Sequence, residues 1–252
     1  MPPLSAVIIT KNESSNIEAA LASVAWADER LVIDADSTDD TVARARHAGA
    51  RAIVRPWPGY SEQKNHGAAI AQHDWILSLD ADERISEPLA REIQSLLQHD
   101  PPHRGYRIPR VAFYLGRWIR TTDWYPDYQL RLYDRRVARW NGRRVHESVE
   151  LDAAPPGKLK GEILHYAYRD LSHHLETIDR YTTLAAAHMA DEGRRAGAFD
   201  LVVHPPAAFL RNYLLRGGFR DGTTGFVVSA LNAFYVFAKF AKLWERQRDP
   251  RG

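Results

Sequence analysis

Asp80, Asp82 and Glu83 close the stretch Asp74–Glu83 (D-W-I-L-S-L-D-A-D-E), where Trp75, Ile76, Leu77 and Leu79 form a nearly unbroken apolar run. A strand buried on both faces of a parallel sheet reads this way. Strand side chains alternate, so Asp80 and Asp82 share one side if the extended backbone lasts two residues beyond the run. Two carboxylates at the carboxyl end of such a strand, where open α/β sheets bind ligands, make a hard-oxygen site suited to Mg2+ or Mn2+. An isolated D-x-D is more often the polar cap of a surface turn, because the motif is short and common. The neighbouring segments decide between the two.

Those segments must supply the rest of a rim. Ala6–Thr10 (A-V-I-I-T) is β-branched and apolar, a first parallel strand, and Lys11-Asn12-Glu13-Ser14-Ser15 follows as a polar turn. Ser15 with Glu18 matches a helix capping box, and Ile17, Leu21 and Val24 recur at helical spacing. Arg30–Asp34 reads as a second strand ending in acid. After Asp34–Asp40 a helix runs to about Ala48, with Gly49 placed to stop it. Ala52–Val54 is a short third strand. Ser61 is placed to cap a third helix carrying Gln63, Lys64 and Asn65 in its first turn, and Ser86 with Pro88 starts a fourth. Strand and helix alternate four times, the pattern of an α/β, doubly wound, mostly parallel sheet with helices on both faces. Right-handed crossovers then bring Lys11–Glu13, Asp34–Asp39 and Asp80–Asp82 to one rim.

Composition sets limits. The chain has 252 residues, 44% of them hydrophobic and 26% charged, as in an ordinary folded domain. A net charge of +2 is too small to imply nucleic acid, and the absence of cysteine excludes thiolate metal sites and a cysteine nucleophile. The N-terminus shows no basic-then-apolar leader, so a cytoplasmic location is expected.

Beyond Asp100-Pro101-Pro102 the pattern changes. Tyr106–Ile108, Gln129–Tyr133, 145–151 and Glu162–Tyr168 read as strands with no long helix between them. This half carries His146-Glu147 and His165, and lone histidines of this kind are more often structural than functional.

The segments V-I-I-T-K-N-E, V-I-D-A-D-S-T-D-D-T, E-Q-K-N and L-S-L-D-A-D-E, in this order and spacing, resemble the family 2 glycosyltransferases over roughly the first 170 residues. That resemblance implies the GT-A fold, a Rossmann-like arrangement. It also implies a catalytic domain over 1–170, with a nucleotide-sugar half at 1–100 and an acceptor half at 101–170, and a helical extension over 171–252. Within the family, R-P-W-P-G-Y-S-E-Q-K-N, Y-Q-L-R-L-Y, V-H-E-S-V and G-G-F-R-D-G-T-T-G-F are similar to the lipopolysaccharide inner-core glucosyltransferase type, which moves glucose from a nucleotide sugar to a heptose. The implied donor contacts are Thr10, Asn12, Glu13, Asp34, Asp36, Lys64, Asn65, Asp80 and Arg131. Many members have an acid at the place of Ala35 or a glycine at that of Asp36, so which carboxylate meets base or ribose stays open.

Inverting transfer must stabilise a departing nucleoside diphosphate and take a proton from the acceptor hydroxyl. A divalent cation, Mn2+ or Mg2+, held by Asp82 with Asp80 and with His165 as a nitrogen ligand, answers the first need. Glu147 is the expected base, with Asp123 and Asp127 in reserve and a pairing with Arg143 or Arg144 as its structural alternative. Trp118 and Trp124 are weaker candidates for stacking on sugars, because such residues are as often packing.

The C-terminal third reads as an amphipathic helix over Ser172–Glu192, with Leu175, Ile178, Thr182, Ala185 and Met189 on one face. The uncharged run Gly222–Ala238 follows later. From Pro205 to Arg248 there are seven basic side chains against Asp221 and Glu245. The pattern fits peripheral attachment to an anionic membrane surface on the cytoplasmic side. Burial against the catalytic domain, a contact between copies of the chain and a true span are the alternatives. The expected partners are a nucleotide-sugar donor and a lipid-linked saccharide acceptor. Polyprenyl phosphate is an alternative acceptor. A nucleotidyltransferase would want a Gly-rich basic loop after the first strand, which K-N-E-S-S-N is not, and a non-catalytic scaffold has no use for the acids.

Overall fold

A computed structural model of the chain describes residues 2–142 and 147–248. The chain divides into two compact units, Met1–Val111 with Asp127–His165, and Ala112–Pro126 with Tyr166–Gly252. Residues 112–126, grouped with the acceptor half on sequence, lie in the second unit.

The first unit alternates β1 (Leu4–Thr10), α1 (Ile17–Ser23), β2 (Glu29–Asp34), α2 (Thr41–His47), β3 (Arg51–Val54), α3 (Tyr60–Ile70), β4 (Trp75–Asp80), β5 (Glu83–Ile85) and α4 (Glu87–Leu97). Then come β6 (Gly105–Tyr114), which runs on into the second unit to pair with β7 (Arg117–Ile119), and β8 (Asp127–Asp134), β9 (Ala138–Trp140), β10 (Val149–Leu151), β11 (Gly157–Lys158) and β12 (Ile163–His165). The strand order is β3-β2-β1-β4-β8-β6-β12-β5. The first four strands are parallel and β8 turns antiparallel against β4. The chain winds outward from β1 to β3, then returns to place β4 on the other side of β1. That reversal leaves a crevice at the carboxyl ends of β1 and β4.

Strand alternation sorts the core into two layers. Leu4, Ala6 and Ile8 of β1 face α1, α2 and α4, whereas Val7 and Ile9 face α3 and the β9–β10 hairpin. Every residue of β1 is buried, as its apolar composition requires. Gly49 adopts φ +80° and its N–H reaches the Arg46 carbonyl, the expected stop of α2. Ser86 accepts from the Leu89 N–H and caps α4.

Other local expectations are corrected. The Ser15/Glu18 capping box does not form. The cap residue of α1 is Asn16, whose side chain donates to Glu13, while the Glu13 carbonyl accepts the first helix N–H groups. Gly59 rather than Ser61 precedes α3, and Ser61 lies buried within it. Residues 143–146 lie outside the described residues, and with them the first two positions of the expected strand at 145–151, His146 included.

The second unit holds α5 (Leu171–Asp191), α6 (Ala198–Val202), α7 (His204–Leu210) and α8 (Gly222–Arg246), with a π-helical turn at Arg211–Leu215 and 3-10 turns at Thr122–Trp124 and Gly218–Asp221. The buried face of α5 is His174, Ile178, Thr182, Ala186 and Met189, so His174 and Ala186 replace the expected Leu175 and Ala185. His174 receives or donates one bond at Nδ1 to the Tyr114 hydroxyl and stacks on Tyr168. Trp124 packs among Tyr114, Tyr168 and His174, and Trp118 against Phe113 and Tyr166. Both tryptophans are therefore packing residues of this unit.

Gly67 sets how closely α3 approaches the sheet. A Cβ there would stand 2.5 Å from Cγ1 of Val7 and 3.0 Å from Cγ1 of Ile33. Gly67→Ala is expected to cost about 1–3 kcal/mol through overpacking, read as a lowered urea midpoint at unchanged m-value.

Candidate active site

The strand registers bring the expected rim together. Thr10 lies opposite Asp34 across β1 and β2, and Ile9 lies opposite Asp80 across β1 and β4. The loop after β1 is tied to the loop after β2: the Asn12 N–H donates to Ser37 Oγ, the Thr38 N–H to Asn12 Oδ1, and the Glu13 N–H to Thr41 Oγ1. Asn12 and Asp36 both take positive φ, near 53° and 54°, as short polar residues can in a tight turn. Asp34 is fully buried and accepts from the N–H and hydroxyl of Ser37, while Asp36 is exposed. Thr10 Oγ1 is buried without a hydrogen-bond partner.

The strand ends at Asp80, and Ala81-Asp82 form a turn, so the shared side expected from two more extended residues does not arise. The two acids instead enter different pairings. Asp82 Oδ2 stands 3.3 Å from His165 Nε2, because β12 pairs with β5 and sets His165 opposite Glu83. Asp80 faces inward between two cations: Lys64 Nζ is 3.1 Å from its Oδ1, and Arg131 Nη2 is 3.0 Å from its Oδ2.

Glu83 is the organising residue that sequence reasoning passed over as a third acid in the run. It is wholly buried, accepts from Arg131 Nη2 at 2.9 Å and from Arg110 Nη1 at 3.0 Å, and takes the Asp80 backbone N–H at 3.0 Å. Arg110 in turn grips Asp127, with Nη2 at 2.7 Å from its Oδ2. At the other end Lys64 Nζ is 3.9 Å from Glu147 Oε1. The result is one chain of alternating charge: Asp127, Arg110, Glu83, Arg131, Asp80, Lys64, Glu147. Asp127 is thereby occupied by Arg110, and Asp123, the other reserve base, pairs within the second unit with Arg211 and Arg216. The suggested pairing of Glu147 with Arg143 or Arg144 falls on partners outside the described residues.

Electrostatics follow from burial. Lys64 is 2% exposed and Arg131 3%. Desolvation lowers the Lys64 pKa below that of an ordinary lysine despite the attraction of Asp80. Burial also works against the Asp80 carboxylate, but Lys64 and Arg131 outweigh it and hold its pKa well below the usual range. For Arg131 burial is likewise outweighed, by Glu83 and Asp80, and the pKa rises. Trp140 supplies a π face to both cations, 4.3 Å from Lys64 Nζ and 5.6 Å from the Arg131 guanidinium carbon. Asn65 holds that tryptophan: its amide donates to the Trp140 carbonyl and accepts from the Trp140 N–H, both at 2.9 Å. These two bonds make Asn65 a brace for β9. The pair of long-range bonds has no sequence signal beyond E-Q-K-N itself.

No group of three or more His, Asp or Glu side chains poised for a metal occurs among the described residues. Asp82 with His165 nevertheless offers one oxygen and one nitrogen side by side. A cation that shares its coordination with substrate phosphates needs no more than one or two protein ligands of this kind. Asp80, with both oxygens beside cations, does not complete a three-residue cluster. Arg131 Nε and Nη1 are buried without a hydrogen-bond partner, and so is the whole amide of Gln63, a fully buried residue on α3.

Comparison with known proteins agrees with this geometry. The description "Glycosyl transferase family 2" fits residues 5–146. An uncharacterized glycosyltransferase of Rickettsia prowazekii, RP128, is 33% identical over 96% of this chain and 87% of its own length. The lipopolysaccharide core biosynthesis glycosyltransferase LpsC of Rhizobium meliloti is 29% identical over 97% of this chain and 93% of its own. Among solved structures, glucosyl-3-phosphoglycerate synthase from Mycobacterium tuberculosis, crystallised with Mn2+, uridine diphosphate and glucosyl-3-phosphoglycerate, is 27% identical over 46% of this chain and 45% of that one, at a TM-score of 0.35, an overlap too slight to bear on ligands. With a family match over more than half its length, on a sheet that reverses direction beside an acid-tipped strand, the chain belongs to the family 2 glycosyltransferases of GT-A fold.

Proposed function

We propose that the protein is an inverting hexosyltransferase that moves glucose from UDP-glucose to an inner-core heptose of lipopolysaccharide, or to a similar membrane glycolipid, at the cytoplasmic face of the membrane. The observation that carries this reading is the bridge made by Lys64, which joins Asp80 at 3.1 Å to Glu147 at 3.9 Å beside the crevice of β1 and β4. The acceptor class is supported by the core-biosynthesis role in the name of the Rhizobium meliloti relative.

In this reading the loops carrying Asn12, Glu13, Asp34 and Asp36 receive the nucleoside. Lys64 and Arg131 set two desolvated positive charges behind the diphosphate, where low dielectric makes each charge count for more than in water. Asp82 and His165 would hold the divalent cation, Mn2+ or Mg2+, which supplies neutralising charge for the leaving phosphates. Glu147 takes the proton of the acceptor hydroxyl at its carboxylate.

Glu147→Gln is expected to lose about 10²–10⁴-fold in turnover while binding UDP-glucose with Mn2+ as the parent does. Asp82→Asn is expected to lose Mn2+-dependent donor binding at an unchanged melting temperature. Calorimetric titration of UDP-glucose with and without Mn2+, beside transfer assays, reads both. Near-normal turnover of Glu147→Gln removes Glu147 as the base, and metal-independent binding by the parent removes the cation from the account.

A further inference from the structure

Residues 198–215 of the second unit form one continuous helical path: α6, α7 and the π-helical turn join end to end, with Val203, Leu210 and Arg211 all in the right-handed helical region. At 1.5 Å per residue the path is about 27 Å long. A helix on a globular protein normally turns its apolar stripe to the core. Here the stripe points out. Phe199, Val202, Val203, Leu210, Leu214 and Leu215 recur at helical spacing and are between 40% and 84% exposed. The opposite face carries the buried Asn212, whose Oδ1 accepts from the Asp123 N–H, and the partly buried Leu201.

The charges around the stripe are mostly positive. Between Arg194 and Asp221 lie Arg194, Arg195, Arg211, Arg216 and Arg220 against Asp200 and Asp221. Asp221 is already committed to Arg117 and Thr121. Arg211 and Arg216 share a single acid, Asp123, so the surplus remains positive.

We propose that this outward apolar stripe is the surface by which the protein docks on an anionic lipid bilayer, lying in the plane of the headgroups. The inference deepens the membrane-attached reading above and rests on it for its biological sense. An apolar helix face rimmed by arginines is the complement of an acyl boundary beneath phosphate headgroups, and such helices sit about 5–10 Å deep. The longer α8 has the length and composition to cross a membrane, yet it fills another role. It supplies Val228 to one buried cluster and Phe240 and Leu243 to another, so crossing a membrane would strip it from both. The 198–215 path gives up nothing buried when its outer face enters lipid.

The test is co-sedimentation of the full chain with vesicles of phosphatidylglycerol and phosphatidylcholine, beside vesicles of phosphatidylcholine alone. Leu210→Glu with Leu215→Glu alters two exposed side chains and is expected to keep the parental melting temperature while losing at least about tenfold in affinity for the anionic vesicles. Phe234→Glu with Phe237→Glu, on exposed positions of α8, is expected to bind as the parent does, and high salt to weaken the parent. Undiminished binding by the Leu210/Leu215 variant overturns the proposal. So does loss confined to the α8 variant, or a vesicle-free dimer that the Leu210/Leu215 variant converts to monomer, which would make the stripe a contact between copies. Vesicle binding needs no donor, so a chain that docks through this face but transfers no glucose sinks the proposed activity and leaves this inference standing.

Discussion

A buried carboxylate needs compensation, and in this protein Glu83 receives it from two guanidinium groups and one backbone N–H. Removing such a charge from water costs several kcal/mol, so the fold holds only if the partners are supplied in place. Arg131 from β8 and Arg110 from β6 are those partners, and each is neutralised further on, by Asp80 and Asp127. Strands far apart in sequence are thereby locked to the turn between β4 and β5. The acid-tipped end of β4 is held by this chain of charges as much as by its ladder of backbone bonds.

The same arrangement gives the site its character. A lysine and an arginine, both nearly excluded from solvent, stand beside one aspartate at the switch point of the sheet, and a tryptophan face braced by Asn65 covers them. Removal of water keeps their fields strong, and alternation of sign keeps the cluster affordable. Asp82 and His165 sit beside the cluster, partly exposed, and among the described residues they enter the charge network only through each other, which suits residues that must exchange partners.

Much of this was legible in sequence because it is carried by period and type. The β-branched run of β1, the acid at the end of β4, the stop at Gly49 and the cap at Ser86 all lie where pattern put them. What was hidden depends on direction. Asp80, Asp82 and Glu83 are adjacent in sequence, yet one faces two cations, one a histidine, and one the interior, because the strand breaks after Asp80. Spacing alone cannot tell a capping box at Ser15 from the Asn16–Glu13 contact that forms. Nor can it foresee that Asn65 would spend both ends of its amide on a strand 75 residues away. In the C-terminal part the apolar spacing was visible but its sense was not: residues 198–215 turn their oily side outward, while the longer apolar run of α8 is partly consumed by packing.

The ion chain through Glu83 is most directly tested by a double-mutant cycle on folding stability with Glu83→Gln, Arg131→Met and both together. A buried, hydrogen-bonded pair predicts that the two changes are strongly non-additive, with a coupling of about 1.5 kcal/mol or more from urea unfolding. Additivity within about 0.5 kcal/mol would mean that the two charges do not hold each other, and the account of how Asp80 is positioned would fall with it.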